Sequence, residues 1–441
     1  MQRNLRWIAL GVAFLGAAIG LLVDFGGRQV PPEPLSTTEP VEVPAAELDE
    51  ASERLRQLDG DIAFYTRRGE EGASWADYEL AALRYLERQR LTGSYDDFAG
   101  AERVLQAAFA LAPVGSGPLF TRMQLNFTLH RLAPLALDVE ALRDQPLLRG
   151  DQLEALSRYR AEIAFYSGHY DDALSRYEAL LLEARSTENL VSVAQYRWRT
   201  GDLSAADALL TEAESTAPSD SRPWLHLVRA LFEISREHWD DALASLEQGL
   251  ELEPGWWQLE EHMAQVLFEQ DALEDARLLY ESVYARTPSP EILDALAILA
   301  DEQGRRDDAT ELAARAEALH EERVALFPEA AAGHAVDHFL LLSDDLDRAI
   351  ELATINRDAR PFGEAQAKLA IAYARAGRWD DALEVVYLLE ATPWSTAESR
   401  AISALVHEQV GDAARAAEHR AAALALSPGA IDRVTATLRG R

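Results

Sequence analysis

Ala372-Tyr-Ala-Arg-Ala-Gly-Arg-Trp-Asp-Asp-Ala-Leu-Glu-Val-Val-Tyr-Leu-Leu-Glu-Ala-Thr-Pro393 reads as helix, tight turn, helix, stop. Gly377 sits where the first helix must end, because glycine adopts a positive φ without a Cβ clash. Asp380 is placed to offer its carboxylate to the free N–H groups of the second helix. Ala382 lies in the first turn of that helix, where a small side chain lets two helices approach. Leu383, Val386 and Leu389 follow at three-residue steps and share a face. Pro393 stops the helix, since it lacks an N–H and clashes with the preceding turn. Two helices this short cannot bury their apolar faces alone, so they need stacked neighbours.

Working outward, the pattern recurs. Hinge alanines stand at Ala101, Ala173, Ala206, Ala242, Ala276, Ala309, Ala349, Ala382 and Ala416. The gaps after Ala173 are 33, 36, 34, 33, 40, 33 and 34 residues. The first gap is 72, which leaves room for a degenerate unit around Leu119 to Leu148. Five residues before the hinge stand Gly168, Gly201, Gly304, Gly377 and Gly411, or else Asp96, Asp271 and Asp344. Aspartate tolerates a left-handed turn better than most residues; only Glu237 breaks the rule. Twelve residues after the hinge stand Pro113, Pro218, Pro254, Pro288, Pro361 and Pro428. With 18 prolines in 441 residues, six hits in nine places are not chance.

This period and its small–Gly–Ala–aromatic–Pro pattern resemble tetratricopeptide repeats. The set Trp224, Leu227, Val228, Leu231, Ala242, Pro254 matches with two extra residues before its hinge. The set Met263, Ala264, Leu267, Ala276, Tyr280, Pro288 matches in register. The resemblance covers Trp75 to Pro428. It implies an all-α chain, a right-handed superhelix (α-solenoid) of about ten helix pairs. A shared fold does not fix function, and this family binds many partners.

Composition agrees. The chain is 48% hydrophobic, rich in Ala and Leu, and has no cysteine, which excludes disulfides and thiol chemistry. The formal net charge of −33 repels nucleic acid. Lys368 is the one lysine among 42 basic residues, a usage that reads as lineage bias.

Arg3 and Arg6 precede an apolar run of 17 residues, Trp7 to Val23, followed by acidic residues. The run spans about 26 Å as a helix, enough for a bilayer core. The charge asymmetry puts residues 1–6 in the cytoplasm and the body outside it. The favoured reading is a transmembrane signal anchor at 7–23; the other is a signal peptide cut near Gly20. Residues 24–45, with Pro31, Pro32, Pro34, Pro40 and Pro44, form a semi-rigid linker. An N-terminal helix at 46–72 then precedes the repeat array at 73–428, and 429–441 forms a capping helix. Ser74 is placed to cap a helix starting at Trp75.

In the tetratricopeptide family the first helix of each unit lines the concave face. The resemblance therefore nominates Arg222, Arg229, Phe232, Glu261, Gln265, Phe268, Glu269, Glu291, Asp294, Asp301 and Glu302 as a partner-binding groove. Six of the eleven are acidic, which suits a basic or amphipathic segment. His334 and His338 share a helix face, with His320 on the previous helix, and form the one constellation with metal spacing. Against that stands the reading of ordinary histidines. Gly255-Trp256-Trp257 is read as packing between repeats. No phosphate-cradling loop, nucleophile elbow or catalytic cysteine is present, and no cofactor is called for.

The sequence thus points to a non-catalytic protein–protein interaction scaffold or assembly factor. It would be anchored in the bacterial inner membrane, with its superhelix in the periplasm gripping one or more envelope proteins. The alternative is a periplasmic metal-handling protein using His334 and His338.

Overall fold

The computed structural model describes residues 45–143, 148, 150–343 and 345–440. Among them there is no strand and there are 22 helices. A long helix, α1 (Ala45–Gly72), leads into ten pairs. These are α2 (Trp75–Thr92) with α3 (Tyr95–Leu111), α4 (Leu119–Thr128) with α5 (Leu132–Arg143), and α6 (Gly150–Tyr166) with α7 (Tyr170–Glu183). Next come α8 (Thr187–Arg199) with α9 (Leu203–Thr216), α10 (Arg222–Ile234) with α11 (Trp239–Leu252), and α12 (Trp257–Glu269) with α13 (Leu273–Arg286). The last four are α14 (Pro290–Glu302) with α15 (Arg306–Leu326), α16 (Pro328–Leu341) with α17 (Leu346–Ala359), α18 (Gly363–Arg375) with α19 (Trp379–Glu390), and α20 (Ala397–Gln409) with α21 (Ala413–Leu426). Helix α22 (Ala430–Arg439) packs on α20, α18 and α21. The degenerate unit is the pair α4 and α5.

The hinge reading holds in detail. All nine hinge alanines are buried. Eight of them are the fourth residue of their helix, where the N–H bonds to the carbonyl of the capping residue, as Ala382 does to Arg378 at 3.0 Å. A larger side chain there would hold the two helices of the pair apart. Gly168, Gly201, Gly304, Gly377 and Gly411 all have positive φ, and so does Asp271 at +70°. Ser74 caps α2 by accepting from the Asp77 N–H at 3.3 Å.

Two local expectations need correction. Asp380 is not the cap of α19; Arg378 takes that place. Asp380 sits inside the first turn, where its charge faces the positive end of the helix instead. In the first pair the left-handed residue is Gly93 (φ +64°), and Asp96 lies within α3. Asp344 lies outside the described residues. The membrane assignment is also corrected. No described helix is long and apolar enough to cross a membrane. That finding overturns the placement as a single-pass inner-membrane protein with a periplasmic body. The run 7–23 and the linker before α1 lie outside the described residues.

The larger surprise is that the superhelix closes on itself. The tight turn inside each early pair rests on the loop between pairs one superhelical turn later. The His130 ring contacts the Glu329 carbonyl at 3.3 Å, a separation of 199 residues. The Gly363 N–H donates to the Tyr170 hydroxyl at 2.8 Å, 193 residues away. The Ser395 N–H donates to the Arg199 carbonyl at 2.8 Å. The Trp257 indole donates to the Arg90 carbonyl at 2.9 Å. Separations near 190–199 residues equal roughly six units of the ~34-residue period. The second turn therefore lies directly on the first.

Glu237, the exception to the glycine rule, belongs to this seam. It keeps the left-handed conformation (φ +61°) without being glycine. Its carboxylate reaches the next turn and accepts from the Gly429 N–H at 2.7 Å, the Ser427 hydroxyl and the Arg433 guanidinium. Removing an acceptor with three donors costs about 1–3 kcal/mol. Relief of left-handed strain returns about 1 kcal/mol when glycine replaces a residue with a Cβ. Glu237→Ala should therefore lower the urea midpoint, with Glu237→Gly falling between Ala and wild type. A Gly variant more stable than wild type would mean that the latch contributes nothing.

Candidate functional site

The first helices of the pairs face inward, as the repeat pattern requires. Because the two turns are stacked, that inner face is largely covered. Of the eleven nominated groove residues, Arg229, Phe232, Glu261, Gln265, Phe268 and Asp294 are buried. Glu269, Glu291 and Asp301 are half-buried, and only Arg222 and Glu302 are exposed. Phe232 (0% exposed) packs edge-on against Trp198 with ring centroids 5.6 Å apart, so it offers no surface to a partner.

The buried charges are held within the molecule. Arg229 on α10 bonds to Asp207 at 2.5 Å and to Glu214 at 2.7 Å on α9. Glu291 on α14 accepts from Arg323 on α15 at 3.0 Å. Burial pushes Glu291 upward, but Arg323, with the nearby histidines, holds it down at about 2. Glu261 has no such partner at one carboxylate oxygen. Burial, reinforced by Glu291 and opposed by Arg323, pushes it up to about 8.

The histidine constellation is rearranged. His338 on α16 and His320 on α15 come together, but their third member is Asp294 on α14, not His334. Asp294 accepts from His320 Nε2 at 2.8 Å and from His338 Nδ1 at 2.7 Å. Each carboxylate oxygen thus has its own imidazole, while the buried His338 Nε2 makes no hydrogen bond among the described residues and lies 3.5 Å from Glu317. Burial lowers His338, but the Asp294 carboxylate outweighs it and raises the net value. His334 lies one turn away among Glu291, Arg323, Arg360 and Lys368, and burial pushes it down to about 4. The His334/His338 pair is therefore not a joint ligand set. A second cluster was not foreseen: His407 and His419 both point Nε2 at one oxygen of Glu390, at 2.8 and 2.9 Å. Arg400 lies 3.2 Å from His419 Nδ1. Its guanidinium donates there, which places the His419 proton on Nε2, pointed at Glu390.

Trp256 and Trp257 are both buried, as the sequence suggests, but between superhelical turns rather than adjacent repeats.

The two turns enclose a cavity of about 140 Å³. Its floor is α18 and α20 of the second turn, its roof α8, α10 and α12 of the first, and α22 closes one side. Lys368 on α18 projects into it, 4% exposed, with Nζ 2.5 Å from Asp337. Burial opposes its charge, yet Asp337, Glu398 and Glu364 raise it above the ordinary lysine value. Trp198, Trp239 and Trp394 supply apolar walls. Of its lining, the sequence nominated Gln265 and Glu269 as groove residues and singled out Lys368 as the lone lysine; the others were not foreseen.

No family model matches the chain, and no curated protein matches it. Solved structures do resemble it. A thermophilic TPR protein from Thermus thermophilus is 20% identical over 46% of this chain and 98% of its own, with a TM-score of 0.34. Yeast Tom70 is 14% identical over 88% and 93%, at 0.36. A Rap protein complexed with competence and sporulation factor is 14% identical over 82% and 99%, at 0.44. All three scores lie below 0.5, so the assignment rests on this chain's own geometry. Ten stacked pairs, buried hinge alanines and left-handed turns at a spacing of 33–40 residues make it an α-solenoid of tetratricopeptide-like repeats.

Proposed function

We propose that the chain is a non-catalytic scaffold that binds another protein through a basic or amphipathic segment. The observation that supports this most is where acidic charge on the inner layer stays in contact with water. The buried cation Arg229 is neutralised by carboxylates of its own neighbourhood. Asp301 and Glu302, at the end of α14, remain half-buried and exposed respectively. Together with half-buried Glu269 at the end of α12, they form an acidic edge where the covered inner face meets solvent. A cationic segment would find its Coulombic complement there, and the rigid stack would bind it without ordering its own surface.

A photo-crosslinking residue at Glu302 tests this against one at exposed Glu384, on the opposite helix layer. One defined partner should be captured from Glu302 and not from Glu384. Reversing Glu269 and Asp301 to arginine in the protein that carries the crosslinker at 302 should reduce that capture at least tenfold, with melting unchanged. Equal capture from both positions, or indifference to the reversal, would remove this reading. Asp294 is left out of the set, because reversing it would break the histidine network.

A further inference from the structure

We propose that the cavity between the two turns binds a protonated α-amine with an adjacent carbonyl and an apolar side chain, and that Glu398 receives the amine. Such a group is the free N-terminus of a peptide, or an amino-acid derivative carrying the same atoms.

The charges on the cavity wall carry the argument. Lys368 faces Asp337 at 2.5 Å, and Arg199 faces Glu364 at 3.6 Å. Arg236 faces Glu233 at 3.2 Å, and Arg433 is held by Glu237. Each cation on the wall has its own carboxylate. Glu398, at the start of α20, accepts no hydrogen bond from the described residues and is open to the cavity. It is a negative group left without a donor, so the complement is a positive one.

A second observation is independent of charge. Trp394, 2% exposed, lies on the same wall, and its indole N–H has no acceptor among the described residues. A buried donor left unpaired costs about 1–3 kcal/mol, which an incoming oxygen would recover once the ring turns its N–H, shut from solvent here, toward the cavity. An α-amine bonded to Glu398 carries such an oxygen two bonds from its nitrogen-bearing carbon. The side chain on that carbon would then lie against Trp198 and Trp239, whose faces also favour a nearby cation. A volume of about 140 Å³ admits one residue and not a folded segment.

Burial raises Glu398 to about 7, with Lys368 opposing and Asp337 and Glu364 reinforcing, while Arg433 also opposes. A bound ammonium would favour its ionised form. At pH 7 binding should therefore release part of a proton, and the measured heat should vary with the ionisation enthalpy of the buffer.

This inference sharpens the scaffold reading if the source is a peptide, yet it fails separately from the crosslinking result. The probe is phenylalaninamide, titrated into the full chain by calorimetry and by tryptophan fluorescence. It should bind, and N-acetyl-phenylalaninamide should bind at least tenfold more weakly. Glu398→Gln, which keeps the shape, should weaken the first probe at least tenfold without lowering the melting temperature. A peptide beginning with phenylalanine that binds more tightly than the amide assigns the site to a partner's N-terminus. Weaker binding of the peptide assigns it to a small amino-acid derivative. Equal binding of the acetylated probe, no effect of Glu398→Gln, or no binding by either free amine overturns the proposal.

Discussion

Trp394→Ala lowers the unfolding free energy by about 3–5 kcal/mol, the range for truncating a buried tryptophan, and loosens the second turn from the first. Trp394 lies in the loop between α19 and α20, yet its ring neighbours come from both turns. Its centroid is 5.9 Å from Phe165 and 6.2 Å from Tyr170 in the first turn, and 5.5 Å from Phe362 in the second. Gly363 makes room for it, since a Cβ there would lie 2.0 Å from Trp394 Cγ. That distance cannot be relieved by a small shift, so Gly363→Ala must expel the ring. It should destabilise by a comparable amount. Both variants should expand the particle in small-angle scattering, because the seam between turns opens. The decisive comparison is the double variant. Once Trp394 is alanine the ring clash is gone, though the retained Cβ still lies 2.6 Å from the added methyl, so Gly363→Ala should cost clearly less than it does in the wild type. Additive costs, or an unchanged radius, would show that the turns are held together elsewhere.

The repeat was legible because it is local. A hinge alanine, a left-handed turn and a closing proline each act within a dozen residues, so Ala382 and Gly377 announce their own geometry. The degenerate pair α4 and α5 could be inferred from the 72-residue gap alone. What lies about 190 residues apart leaves no local pattern. Phe232 is buried against Trp198 of the preceding pair, and Trp257 against Arg90 of the other turn, and no spacing within a unit encodes either contact. The error was to treat the concave face as open. Two signals of the seam were nonetheless present. Glu237 stood where glycine was expected, and a residue that bears left-handed strain usually does so for a contact. Lys368 stood alone in an arginine-rich chain. Its compact, flexibly placed ammonium pairs with Asp337 on the wall between the turns. The histidine set failed for a similar reason. Helical spacing put His334 and His338 on adjacent turns of one face, but Asp294, from a helix two elements earlier, decided which of the two it would engage.

From pH 5 to pH 9 the stability of the protein should fall, and Glu261→Gln should flatten that fall. Glu261 has an ordinary value of 4.5 that burial raises to about 8, with Glu291 adding to the shift and Arg323 opposing it. Between those two values the folded chain holds a proton that the unfolded chain has released. Folding therefore takes up a proton, and each unit of pH in that window removes up to about 1.4 kcal/mol of stability. Water reaching the opened site limits the total, so the expected loss at pH 9 relative to pH 5 is about 2–4 kcal/mol from this group. Glu162 and Glu398, each raised to about 7 mainly by burial, act in the same direction. Glu291 acts oppositely. Held at about 2, it contributes stability above 4.5 that is lost as pH falls towards 2. The optimum should thus lie on the acid side of neutrality, near pH 5. Net repulsion among the surplus carboxylates also relaxes on acidification, so the wild-type curve alone does not isolate Glu261. The glutamine variant does. Its amide removes the buried charge that Glu261 carries beside an unpartnered oxygen. In urea titrations it should exceed wild type by about 2–4 kcal/mol at pH 9 and match it within about 1 kcal/mol at pH 5. A constant offset at both pH values would mean that Glu261 is ionised throughout, and that the inner face is wetter than its burial implies.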